Sequence, residues 1–383
     1  MTCRRLTDFA QKNKLPMLVI HAGRQTKTWD EGSVRQMRLK RSAVSFSLDE
    51  ELAYDPLFQR YTNKVLKALM EFQPDVIHIT GLNDVSIVGA YLAWKLQLPL
   101  LGSWHTNVHE FAAQRLRRMM RFLPKGLTNS ISGFAEKKIL DGTVLYYKMP
   151  KVVLAPNQEL IDLLGKGTHR KALFMGRGVD ADNFSPSKRT VNDGVFRIGF
   201  VGRLRAEKNV RMFVDLEEEL LKKGKTNFKF LIVGEGNERE YLQRNLKNAE
   251  FTGFLSGEQL AEAYANMDVF VFASETDAFG NVAQEAAASG VVPIVSDKGG
   301  PKFLVKNGES GFVAAGLDDY RDRVIELMDD RHKLETMRQN ARASAESKSW
   351  DAIFESVYEA YNETIRLEEE KKRSLEKNTA EAA

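Results

Sequence analysis

VFVFASETDAFGNVAQEAAASG, Val269 to Gly290, passes from an apolar run through two acids and a Phe-Gly pair into a small-residue helix. The run Val269 to Ala273 is short, bulky and uninterrupted, as in a strand buried on both faces. Polar loop residues follow at once, and a helix is expected to start near Asn281. In an open α/β sheet such a strand-to-helix junction is where ligands bind.

The same alternation extends in both directions. FRIGFVGRL, FKFLIVGEG, AEFTGFL, VVPIVSD and GFVAAG repeat it across the second half of the chain. Toward the N-terminus, MLVIHAG, PDVIHIT, LPLLGSWH, VVLAP and ALFMGRGV read as further parallel strands, with an amphipathic stretch from Leu57 to Phe72 ending before Pro74. Two successive βα series predict an α/β chain of two doubly wound, Rossmann-like domains. The polar, proline-bearing segment DNFSPSKRTVND (182–193) supplies the join. The expected division is 1–188, 189–347, a final helix 348–373 and a flexible tail 374–383.

A chain of 383 residues exceeds what one core usually serves, in keeping with two domains. Apolar residues at 43% and charged residues at 28% are ordinary for a globular protein. The single Cys3 excludes an internal disulfide framework and fits a reducing compartment. No run reaches the roughly 18 to 20 apolar residues of a membrane span, and the first residues lack a signal-peptide core, so a cytoplasmic location is expected. The net charge of +4 hides an asymmetry: residues 1–190 carry 29 Lys and Arg against 17 Asp and Glu. Either the basic half faces an anionic partner, or its lysines and arginines are simply solvated.

FVGRLRAEKN places Gly202 at a strand end, then Arg203 and Lys208 on the loop beyond. Free backbone N–H groups and two cations suit a phosphate or diphosphate; the plain alternative is a surface turn with solvated cations. LIVGEGNERE repeats the arrangement at Gly234 and Gly236 but lacks the third glycine of a dinucleotide fingerprint. Asp277 and Glu285, eight positions apart, cannot share one short turn: the first falls in the loop and the second in the helix, and carboxylates so placed can accept from sugar hydroxyls and from the two hydroxyls of a ribose. An N-terminal helix acid with a solvated Glu would explain the same pair. Gly280 allows close backbone approach to a diphosphate.

Taken in order, FVGRLRAEKN, LIVGEG, EFTGFL, SETDAFGNVAQEAAASG and GGPKFLVKNGESGFV resemble the nucleotide-sugar half of the family 4 retaining glycosyltransferases. The resemblance implies the GT-B fold, two Rossmann-like domains facing across a cleft that closes over the substrates. It makes Arg203 and Lys208 the cations on the donor diphosphate, and Asp277 and Glu285 the acid pair on donor sugar and ribose. Asp277 stands where the family's spacing has Glu, one methylene longer. The backbone of Phe279 and Gly280 would lie near the phosphates and Gly253 and Phe254 would approach the base, with Gly202, Gly234 and Asn281 in the same donor site. His105, in LPLLGSWHTN, corresponds to the histidine beside the reacting sugar. With Asp277, Arg203 and Lys208 it completes the candidate catalytic set. Arg177-Gly178-Val179-Asp180 resembles the crossover between domains, which makes Asp180-Ala181-Asp182 a structural turn and leaves the reaction without a metal or other cofactor. The co-substrate would be a UDP- or GDP-sugar. The family also has a strand and Gly-rich loop ahead of the first helix, whereas this chain opens on RRLTDFAQKNK, which resembles that helix. Either the start is truncated or another segment fills the gap.

Acceptor recognition is expected from the first domain, for a glycan, lipid or small molecule. Residues 108–123 form a basic amphipathic pattern, with Phe111, Leu116, Met119 and Leu123 on one face and Arg115, Arg117, Arg118 and Arg121 elsewhere. Such a helix suits a peripheral position on an anionic membrane or an ordinary packed surface. His109 adds too little to His105 for a metal site. RQMRLKR (35–41) adds cations without periodicity, and no interleaved aromatic and basic element points to nucleic acid. A nucleotide-sugar-binding protein without turnover, or a GT-B epimerase or phosphorylase, is the alternative reading.

Overall fold

The computed structural model describes residues 2–47, 53–105, 120 and 125–381. The chain forms two compact units, Met1–Met175 with Phe354–Ala383, and Gly176–Ile353. The predicted basic helix at 108–123 and His109 lie, Met120 apart, outside the described residues.

In the first unit, β1 (Met17–Gly23) pairs in parallel with β3 (Val34–Lys40), and β2 (Lys27–Glu31) folds back on β3 through Gly32 at φ +60°. The cation-rich stretch RQMRLKR is thus largely a strand: Val34, Met37 and Leu39 are buried, and Arg35 and Lys40 are exposed. A short antiparallel pair, β4 (Phe46–Ser47) and β5 (Ala53–Tyr54), follows. A second sheet runs β6 (Ile77–Thr80), β7 (Leu100–Ser103), β8 (Val152–Ala155) and β9 (Lys171–Phe174), all parallel and in that order. The helices are α1 (Thr2–Lys12), α2 (Thr62–Phe72), α3 (Asp84–Leu96), α4 (Lys125–Tyr146) and α5 (Gln158–Thr168). Asn83 and Asn157 cap α3 and α5, each side chain accepting from the backbone N–H three residues on, at 2.9 Å. Gln73, at φ +53°, stops α2 just before Pro74.

The second unit is one six-stranded sheet in the order β12-β11-β10-β13-β14-β15, every pairing parallel. Its strands are β10 (Phe196–Val201), β11 (Phe228–Val233), β12 (Ala249–Gly253), β13 (Val269–Phe272), β14 (Val292–Ser296) and β15 (Phe312–Ala314). Helices α6 (Met212–Lys222), α7 (Arg239–Asn245), α8 (Gly257–Ala265), α9 (Asn281–Ala288), α10 (Leu317–Asp329) and α11 (Arg331–Glu346) connect or follow them. With helices covering both faces, β10, β13 and β14 are buried at every position, which is why they read as continuous apolar runs. Phe200, Phe213, Phe230, Phe270 and Phe272 fill the core in stacked and edge-to-face pairs. Each such side chain contributes roughly 1.5–3 kcal/mol by leaving water.

A buried charge anchors the segment that enters this sheet. Asp268, just before β13, accepts from the Arg197 backbone N–H at 2.7 Å, from Arg189 at 3.1 Å and from Arg338 of α11 at 2.8 Å. Arg342, one helical turn on, donates to the carbonyls of Ala181 and Phe184 at 3.0 and 2.6 Å. Asp180 meanwhile accepts from Asn183 N–H at 3.1 Å, so Asp180-Ala181-Asp182 forms a turn.

The last helix, α12 (Trp350–Glu381), continues without a break past Arg373. From Phe354 onward it packs on the first unit: Phe354 and Tyr358 meet Phe9, with ring centroids 5.6 and 5.9 Å apart. Glu363 and Glu368 pair with Lys171 and Lys151 at 2.6 and 3.2 Å. Among the described residues no helix is long and apolar enough to cross a membrane.

Candidate functional site

The strand order of the second unit locates a crevice. From β10 the chain builds outward through β11 and β12, then returns to place β13 on the other side of β10. The connections leaving β10 and β13 therefore diverge at their carboxyl ends, the position where open α/β sheets take ligands. Gly202, Arg203 and Lys208 leave β10; Asp277, Phe279 and Gly280 leave β13.

The two connections touch through charge. Lys208 ends a short 3₁₀ turn (Ala206–Lys208) and donates to both carboxylate oxygens of Asp277, at 2.8 and 2.7 Å. Its ammonium also lies over the Phe272 ring, 5.7 Å from the centroid. Side-chain exposures of 13% for Lys208 and 26% for Asp277 leave the pair largely buried but still in touch with solvent. Arg203 is half-buried on the same connection.

Backbone bonds lace three neighbouring loops. Gly202 N–H donates to Val233, Leu204 N–H to Glu235, and Gly234 N–H to Gly253, at 3.0, 2.9 and 2.8 Å. This close approach requires Gly234: at φ +132°, an added Cβ would fall 1.9 Å from the Gly202 carbonyl oxygen. Gly253 ends β12, and Phe254 after it is 77% exposed, a free aromatic face beside the crevice. On the other wall Gly280, at φ +93°, opens α9 with Pro301 against it. The Gly300 N–H donates to the Asp277 carbonyl at 2.6 Å and fixes the loop from behind.

Glu285 lies in α9 and accepts from the Tyr264 hydroxyl at 3.0 Å. Burial pushes its carboxyl up to about 7, against a smaller downward pull from that hydrogen bond. Among the described residues its side-chain partner is Tyr264 of α8, not Asp277, so the two acids are held by separate contacts. Nothing in the sequence around Tyr264 marked it; a Tyr in an apolar helix reads as core. Arg177 is a second residue that sequence reading did not place here. It sits 5.8 Å over the Phe279 ring and donates to the Asn281 side chain at 3.4 Å. Its only earlier signal was the RGVD resemblance.

His105 belongs to the first unit, two residues beyond β7. Its Nε2 is 2.7 Å from Ser103 Oγ, which is in turn 2.8 Å from His78 Nε2; His78 Nδ1 lies 2.9 Å from the Tyr361 hydroxyl.

Residues 182–344 match the family model described as Glycosyl transferases group 1. The chain is 31% identical to a GDP-mannose-dependent alpha-mannosyltransferase of Corynebacterium glutamicum over 316 residues, 79% of this chain and 71% of that one. A protein of the same description from Mycobacterium tuberculosis is 32% identical over 80% of this chain and 77% of its own. Among solved structures, sucrose-phosphate synthase from Thermosynechococcus elongatus is similar with a TM-score of 0.69 and 17% identity, over 95% of this chain and 93% of that one. That likeness shows the fold, GT-B with its Rossmann-like α/β domains. With a switch-point crevice in the region the family model covers, and identity sustained over most of both chains, this protein belongs to the group 1 glycosyl transferases.

Proposed function

We propose that this chain moves a hexosyl group from a nucleoside diphosphate sugar to an acceptor hydroxyl, retaining the anomeric configuration and using no divalent metal. The observation that supports this most is the Lys208–Asp277 contact at the β10/β13 switch point, which joins a cation and a carboxylate where a donor's diphosphate meets its sugar. When the bond from the anomeric carbon to the phosphate oxygen breaks, negative charge grows on the diphosphate. Lys208 and Arg203 stabilise that charge, together with backbone N–H groups of the Gly202 and Gly280 loops. Asp277 accepts from hydroxyls of the transferred sugar, and ionised Glu285 accepts from the ribose. Phe254 offers its exposed ring to the base. His105 takes the sugar-side role implied by the family resemblance.

Guanosine is the base to test first, because the two bacterial relatives carry GDP-mannose in their names; uridine is second. Residues 1–188 serve the acceptor, a glycan or lipid, and 189–347 serve the donor. The basic segment 108–123 would hold the protein at the cytoplasmic face of an anionic membrane.

The test is calorimetric titration with GDP, UDP, ADP and their sugars, followed by product analysis with candidate acceptors. Binding of one nucleotide, lost in Arg203→Ala and Glu285→Ala, with an α-linked product from an α-linked donor, is the expected result. A folded chain that binds none of them would overturn the reading.

A further inference from the structure

At the amino ends of the strands of the second unit, the end away from the crevice, a cavity of about 170 Å³ opens among Arg189, Ser289, Glu335, Arg338, Gln339 and Arg342. Arg189 precedes β10, Asp268 precedes β13, and Ser289 closes α9 at the end opposite Gly280. The volume is close to the roughly 150 Å³ that holds a benzene ring. It suits a small ligand and falls short of a nucleotide.

The charge around this cavity is unbalanced. All three arginine side chains are largely buried, and among the described residues the one fully buried carboxylate on them is Asp268, which serves Arg189 and Arg338 together at 3.1 and 2.8 Å. The other acids that reach Arg338 and Arg342 are Glu335 at 3.7 Å and Glu346 at 2.6 Å; both are more than half exposed, so water screens them. Burial, more than any neighbouring charge, pulls the Arg338 guanidinium below its ordinary value.

Donors are left over as well. Arg338 Nη2 donates to the Met267 carbonyl and to Asp268, but among the described residues its Nη1 makes no hydrogen bond and its buried Nε has no partner. Arg342 donates through Nε to Glu346 and through Nη1 to the carbonyls of Ala181, Phe184 and Ala288, the last in the final turn of α9; its Nη2 makes no hydrogen bond among the described residues. The Ser289 hydroxyl, in a residue 2% exposed, is likewise without a partner. A cluster that served packing alone would have its buried donors paired.

We infer that this cavity binds a phosphate group, free or carried by a small phosphomonoester, with Arg338 and Arg342 as its main donors, Ser289 as a hydroxyl partner and Arg189 as supporting charge. Guanidinium groups form strong charge-assisted bonds to phosphate oxygens. Three separate donor groups suit the several oxygens of a phosphate better than the two of a carboxylate, and two positive charges beyond Asp268 match a dianion. Among the lining residues Glu335 is the one acid that opposes the ligand. The site does not depend on the sugar-transfer reading.

The experiment is calorimetric titration of the full chain with inorganic phosphate, and separately with glycerol phosphate, against chloride at the same ionic strength. Lys208→Ala serves as the background, because phosphate can also enter the crevice. One saturable site is expected, absent with chloride. Glu335→Gln removes the opposing charge and Gln339→Glu adds one, so affinity should move in opposite directions, by about threefold each. Neither change removes a hydrogen bond of the arginine cluster. Ser289→Ala should weaken phosphate binding severalfold while the unfolding midpoint in chloride stays level or rises. Tighter binding of glycerol phosphate would identify an ester-borne group and tighter binding of inorganic phosphate the free ion; both support the site. No saturable binding, an equal effect of chloride, or an affinity unmoved by both Glu335→Gln and Gln339→Glu would overturn the proposal.

Discussion

Lys208 grips both oxygens of Asp277 across a separation of 69 residues, at 2.8 and 2.7 Å. A diphosphate entering the crevice must draw the ammonium away from a carboxylate that already holds it.

Asp277→Asn should therefore separate binding from transfer. With the competing charge gone, the bare nucleoside diphosphate should bind about fivefold tighter, the equivalent of roughly 1 kcal/mol for a partly exposed pair. Sugar transfer should fall about a hundredfold or more, because the sugar hydroxyls lose their charged acceptor. Calorimetry of the diphosphate beside steady-state turnover checks both; weaker diphosphate binding in this variant would argue against competition at Lys208.

Glu285 predicts a distinct pH dependence. Its carboxyl is raised from the ordinary 4.5 to about 7, so the folded chain holds this proton more tightly than the unfolded one. The stability linked to that proton is present below about 4.5 and is lost as pH rises to about 7, by at most about 3 kcal/mol. Denaturant titrations of wild type and Glu285→Gln across this range should differ by that slope. On the role proposed for Glu285, ribose binding would favour the ionised form, so nucleotide binding near pH 6 should also release a proton, measurable from buffers of different ionisation enthalpy.

Tyr264→Phe removes the hydrogen bond that partly offsets burial at Glu285. The carboxyl should rise above 7, and nucleotide affinity at pH 7 should drop about fivefold, roughly 1 kcal/mol, then recover by pH 8.5. Affinity that stays low at pH 8.5 would show that the hydroxyl does more than tune the acid.

Asp268→Ala tests the anchor of the second unit. Removing it takes the one buried carboxylate from Arg189 and Arg338, which keep the Met267 carbonyl as an acceptor, and leaves the Arg197 backbone N–H without its acceptor, at a cost of about 3–5 kcal/mol. Equilibrium unfolding is the measurement, and a loss below 1 kcal/mol would mean the arginines find other partners.

Much of the second unit was legible because parallel strands covered on both faces spell themselves as apolar runs, and FRIGFV, FKFLIV, VFVF and VPIVS became β10, β11, β13 and β14. The acids and cations at their ends stood out for the same reason, as polar residues next to buried ones. Hairpin β2–β3 was harder: Arg35 and Arg38 alternate with Val34, Met37 and Leu39 and disguise a half-buried strand as a cation cluster. Partnerships were harder still. The pairing of Lys208 with Asp277 depends on β13 lying beside β10, and sequence spacing does not encode that neighbourhood. Tyr264 has no local mark, since its hydroxyl matters only once α8 and α9 are packed.

The lacing of the loops after β10, β11 and β12 limits how this site can change by descent. The first two loops each borrow a carbonyl from the next, and Gly234 leaves no room for a methyl group beside Gly202. An inserted residue in any one loop would unhook bonds in its neighbour, so insertions here should be purged while exchanges at outward positions such as Phe254 persist. Change at this end of the sheet would then come by replacing side chains on loops of constant length.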